Sequence, residues 1–174
     1  IRNLCELNGF QLTCNYVVSN SDYMIKIFSN KFRNSFTQFG KVINEQKIIY
    51  SLCSLHNARF LAGSINNFSI YNYSGLYIKS INAHNGGIFK IKQIGTSLYA
   101  TGSKDKFLKI WKFKNKNFTK IYEKNLSKDV IDIIKLNDGS IALSCIDTIQ
   151  ILKSNLTSNE KMLKCEILIK LSNN

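Results

Sequence analysis

The chain is 174 residues long, 44% hydrophobic and 20% charged, the balance of a globular domain with a sizeable core, and its apolar runs are too short for a membrane-spanning helix. Its formal net charge is +13, from 24 Lys and Arg against 11 Asp and Glu. Proline is absent while Asn, Ile and Lys abound, so the excess reads first as a bias of the whole sequence and only then as an attraction for anionic partners.

The predicted elements are all strands. Ile1 to Leu7 is an apolar strand, and NYVVSNSDYMIKIFS from Asn15 reads as a hairpin around Ser21 and Asp22 that closes on Phe28. A more polar strand follows near Lys31 to Phe39. The pattern then returns: Lys47 to Leu55, a hairpin ARFLAGSINNFSIYN from Ala58 turning at Ile65 to Asn67 and closing on Tyr71, and an outer strand at Gly75 to Ile81. Ile88 to Ile94, the hairpin SLYATGSKDKFLKIWK from Ser97 closing on Trp111, and Thr119 to Lys124 make a third set. Val130 to Leu136, SIALSCIDTIQILKS from Ser140 closing on Leu152, and Lys161 to Ile169 make a fourth.

With Ser21, Ser64, Ser103 and Ser144 as markers, the sets are spaced by 43, 39 and 41 residues. A period near 40 in a chain of four-stranded units is the signature of propeller blades. The fold class expected is therefore all-β: a β-propeller of four-stranded antiparallel blades at about 1–40, 41–82, 83–125 and 126–174, in one domain. Four blades leave two apolar faces uncovered, so they are expected to be part of a larger ring of about seven, with further blades outside Ile1 to Asn174 or a partner completing it.

The segment GLYIKSINAHNGGIFKIKQIGTSLYATGSKDKFLKIWKF, Gly75 to Phe113, resembles a WD repeat of the β-transducin type. The resemblance implies a structural hydrogen-bond tetrad of His84, Thr101, Asp105 and Trp111, in which a buried indole N–H and a turn carboxylate each find partners. The other sets depart from the pattern. The first keeps Ser19 and Asp22 but ends in Phe28, the second has Asn66 and Tyr71, and the fourth keeps Ser144 and Asp147 but ends in Leu152.

The resemblance also implies that partners bind the loops entering the first strand and linking the second to the third; Asn82 to Gly87 is one such loop. Asn85, Lys104, Lys106 and Lys128 are the partner-surface candidates there. A second basic cluster, Lys112, Lys114, Lys116 and Lys120, is interleaved with Phe113 and Phe118. It suits phosphate contact and base stacking, against the plainer reading of a solvated hairpin whose Phe side chains turn inward.

No nucleotide, hydrolase or metalloprotease motif is present. The five cysteines, Cys5, Cys14, Cys53, Cys145 and Cys165, lack zinc-site spacing and read mostly as buried thiols of a reducing compartment. Asn-x-Ser/Thr sequences at Asn67, Asn72, Asn117, Asn125 and Asn155 follow from composition. The expectation is an intracellular, non-catalytic scaffold with no cofactor, no metal, no small-molecule substrate and no membrane insertion, binding other proteins of a multisubunit assembly. The alternatives are an RNA-contacting subunit of a ribonucleoprotein and a substrate receptor for ubiquitin ligation or trafficking.

Overall fold

The computed structural model describes residues 3–7, 14–19, 23–32, 35–38, 43–44, 46–154 and 163–170, with side chains described at 23–28, 43 and 46–153. Every regular element in it is a strand. Residues 1–91 and 92–174 form two compact units, which are taken in turn.

In the first unit, β1 (Asn3–Leu7), β2 (Cys14–Ser19), β3 (Met24–Phe32) and β4 (Ser35–Gln38) pair antiparallel in that order, and the two-residue β5 (Ile43–Asn44) pairs with the start of β3. Next come β6 (Ser51–Leu55), β7 (Arg59–Gly63) and β8 (Ile65–Asn72), again antiparallel neighbours, with the first part of β9 (Tyr77–Gln93) on the outside of β8. Alternation puts Ile25, Ile27, Leu52, Phe60, Ala62 and Tyr71 on buried faces, where they form one core cluster with Ile43 and Ile49.

Two sequence expectations change here. The strand expected over Lys47 to Leu55 is regular only from Ser51, although the Tyr50 N–H already donates to the Gly63 carbonyl at 2.8 Å. The loop expected at Asn82 to Gly87 lies inside β9. Asn67 pairs with Asn82 and Ile65 with Gly87, so the intervening residues are taken up as a bulge. Gly and Asn signal a loop, but pairing on both flanks lets the strand absorb the extra residues.

In the second unit, β10 (Leu98–Ser103), β11 (Phe107–Lys114) and β12 (Asn117–Asn125) pair in order, as do β13 (Val130–Lys135), β14 (Ile141–Cys145), β15 (Thr148–Ser154) and β16 (Leu163–Lys170). Ala100, Leu108, Ile110, Val130, Ile133, Ile141, Leu143 and Leu152 are the centre of its apolar cluster. Each fully buried aliphatic side chain contributes about 1.5–3 kcal/mol. Gly102 explains how β13 approaches β10 so closely: a Cβ there would lie 2.5 Å from Val130 Cγ1.

The repeat is visible in the register. Phe28, Tyr71, Trp111 and Leu152 pair with Tyr16, Phe60, Tyr99 and Ile141 of the preceding strand. On their other side the ladder slips between Ile70 and Tyr71, between Ile110 and Trp111, and between Ile151 and Leu152. The same bulge therefore precedes the closing residue in three repeats, turning a bulky side chain inward at one place.

Candidate interaction surface

Trp111 is only 5% exposed, so its indole N–H needs a partner. It donates to Thr101 Oγ1 at 2.9 Å. Thr101 sits two residues after Tyr99, the strand partner of Trp111, on the same buried face. Its own hydroxyl lies 3.5 Å from the Lys109 carbonyl, at the limit of a hydrogen bond.

The other two tetrad residues come from different elements. Asp105 lies in the β10–β11 turn, where its carboxylate accepts from the Phe107 N–H at 3.1 Å while its own N–H donates to Ser103 Oγ at 3.1 Å. The Lys106 N–H closes the turn on the Ser103 carbonyl at 3.2 Å. His84 lies in the bulge of β9 and is buried.

The register corrects which residues of the other repeats correspond to Thr101. Two positions beyond the strand partner of each closing residue stand Val18, Ala62 and Leu143. Ser19 and Ser144, read from sequence as retained motif serines, fall one position later and align with Gly102. Position 145 aligns with Ser64 and Ser103, so the fourth repeat has a thiol where the second and third have a buried hydroxyl. Burial pushes the Cys145 thiol up from its ordinary value. Cys53 and Cys145 are buried free thiols; Cys5, Cys14 and Cys165 lie outside the described side chains.

Of the partner-surface candidates, Asn85, Lys104 and Lys106 are exposed. Lys128 is held by Asp147 at 3.1 Å, a half-exposed ion pair of small energetic weight. Large apolar groups stand at the turns as well. Ile65 is 46% exposed and Ile146 is 64% exposed, and both correspond by register to Lys104. The sequence puts Ile65 in its turn, and the pairing shows that it begins β8 opposite Gly87.

The basic cluster sits on the β11–β12 hairpin. Lys114 pairs with Asn117 across a two-residue turn whose Asn115 and Lys116 both have positive φ, 52° and 63°, as the tight turns joining twisted strands require. Phe113 packs on Phe118 with ring centroids 4.7 Å apart, and Phe118 meets Tyr99 edge-on at 5.4 Å. The rings a base would stack on thus pack on protein. Lys120 is paired with Glu123, and Lys114 and Lys116 are exposed.

Among the described residues no group of three or more His, Cys, Asp or Glu is placed to hold a metal ion, and no helix is long and apolar enough to cross a membrane. The Asp132 carboxylate accepts from the Ile133 N–H at 2.7 Å, a local bond from backbone to side chain.

No protein-family model matches the chain, and no curated protein does. Solved structures do. A chain of the crystal structure of the Mitotic Checkpoint Complex is similar with a TM-score of 0.75 at 14% identity, over 98% of this chain and 53% of that one. The computationally designed Ika8 protein is similar with a TM-score of 0.60 at 11% identity, over 83% of this chain and 44% of that one. The chain thus spans about half the length of the structures it matches. The likeness concerns the fold, and with the all-β, antiparallel architecture it fits a WD40-like β-propeller.

Proposed function

We propose that the chain is a non-catalytic protein-interaction scaffold within a multisubunit intracellular assembly. The observation that carries this reading is the fold likeness, over nearly the whole chain, to a component of a multiprotein complex. The turns supply the chemistry of recognition: exposed Ile65 in one unit, and exposed Ile146, Lys104 and Lys106 in the other. Apolar anchors beside polar groups are how interfaces divide affinity from specificity. In this reading His84, Thr101, Asp105 and Trp111 brace the third repeat and do no chemistry, and the WD-repeat pattern is the family the chain belongs to.

The test is recovery of partners with the intact protein from its own cells, before and after Ile65→Glu and Ile146→Glu. Stoichiometric partners that are lost from either variant, while circular dichroism and melting stay unchanged, are the expected result. A protein that elutes alone at every concentration would defeat the proposal. The RNA alternative has less support, because Phe113 and Phe118 are packed together; charge reversal at Lys114 and Lys116 is expected to leave the behaviour of the protein unchanged.

A further inference from the structure

Among the described residues the outer stretch of a repeat, Tyr77 to Asn82 in β9 or β12 in the third, pairs with a strand on one side, and such an edge invites pairing unless charge protects it. In the third repeat β12 carries such protection: Lys120, Glu123 and Lys124 stand along it, and Glu123 is bridged to Lys109 and Lys120. The edge in the second repeat is built differently. Leu76, Tyr77 and Ile78 are consecutive, and they are 59%, 59% and 43% exposed.

Hydrogen bonds define the turn that presents that edge. The Asn72 carboxamide oxygen accepts from the Ser74 and Leu76 N–H groups at 3.1 and 2.9 Å, and the Asn72 N–H donates to the Leu76 carbonyl at 3.1 Å. Gly75, with φ of 83°, supplies the left-handed step inside this turn. Tyr77 then leans edge-on against buried Tyr71, with ring centroids 5.8 Å apart. Along β9 from Tyr77 to Asn82 the described strand pairs are all to β8, on one side.

Charge identifies what suits this edge. From Gln46 to Lys104 the chain has no Asp and no Glu, whereas it has Lys47, Arg59, Lys79, Lys90, Lys92 and Lys104. Lys79 lies in the strand itself, and Arg59 pairs with Asn72 at the end where Leu76 sits. A basic neighbour or a second copy of this surface would meet like charge.

We propose that the β9 edge at Leu76–Ile78 accepts an extended acidic segment of a partner protein by strand addition. Backbone hydrogen bonds would supply affinity, Leu76 and Ile78 would cover apolar side chains of the guest, and carboxylates would meet the basic surroundings. The proposal rests on the protein-interaction reading but uses residues other than Ile65 and Ile146, so either can fail alone.

The probe is a fluorescent peptide of about ten residues, a long strand's length, alternating Ile with Glu, titrated into the full chain by anisotropy. Saturable binding is expected, weakened by about tenfold or more in Ile78→Glu and lost when alternate peptide nitrogens are methylated. Leu76→Glu is the second variant, in case the first lowers the melting temperature, and Ile121→Glu on β12 is expected to bind as the parent does. No binding, equal binding by a Lys-for-Glu peptide, or weakening by Ile146→Glu in place of Ile78→Glu would overturn the proposal. So would self-association of the chain that Ile78→Glu abolishes, since it would assign the edge to a second copy.

Discussion

The third and fourth repeats solve one packing problem with opposite chemistry. At the closing position and the position two residues beyond its strand partner, the third has Trp111 bonded to Thr101 and the fourth has Leu152 and Leu143, all buried. A donor and acceptor lost together cost little when apolar groups fill the space, whereas losing one of them strands the other. The bulge before the closing residue is the same in both. What the repeat keeps is therefore the backbone slot, and the polar pair is one of several ways to fill it.

The comparison is broken most severely by emptying the slot. Trp111→Ala is expected to cost about 3–5 kcal/mol, the usual range for deleting a large buried aromatic, read as a lower denaturation midpoint by chemical unfolding. Leu152→Ala, which removes fewer atoms, is expected to cost about 2–5 kcal/mol. A Trp111→Ala chain that melts like the parent would show that the indole is not part of the core.

Next in size is Gly102→Ala. The added methyl would meet Val130 Cγ1 at 2.5 Å and the Val130 carbonyl oxygen at 3.2 Å, and backbone cannot swing aside as a side-chain tip can. About 1–3 kcal/mol is expected, the range for overpacking a tight contact. Ser144 holds the aligned position in the fourth repeat, so Ser144→Ala is expected to be far milder. Equal costs at both sites would mean that Gly102 is not what sets the spacing of β10 and β13.

Thr101→Val sharpens the comparison by removing an acceptor and almost no volume. About 1–3 kcal/mol is expected for the stranded indole N–H. On a Trp111→Phe background the cost should largely vanish, which a double-mutant cycle measures directly.

These positions differ in how far the sequence discloses them. Phe28, Tyr71, Trp111 and Leu152 are legible because a bulky residue recurs at the end of each hairpin, and turn chemistry fixes where each hairpin folds. Thr101 is legible through its resemblance to a known motif. Ser19 and Ser144 mislead for a physical reason: a serine at a strand end fits either face, and only cross-strand pairing shows that Val18 and Leu143 hold the Thr101 position. The outer strand at Gly75 to Ile81 is legible as an edge, but how far Leu76, Tyr77 and Ile78 stand exposed on it is not. Apolar residues in a strand read as core until the neighbours of that strand are known.

The second repeat offers the smallest and most discriminating change. Tyr71 fills the slot there, stacked on Phe60 with centroids 5.3 Å apart, and Ala62 stands where the third repeat has Thr101. With no hydroxyl at 62 to meet it, the buried Tyr71 hydroxyl has no hydrogen-bond partner among the described residues. Folding then strips water from that oxygen without replacing it, which lowers stability. Tyr71→Phe keeps the ring and its stacking and removes the stranded atom, so thermal unfolding should shift upward, by no more than about 1 kcal/mol. A loss of stability would mean that the hydroxyl is satisfied in solution, and that the second repeat, like the third, fills its slot with a polar pair.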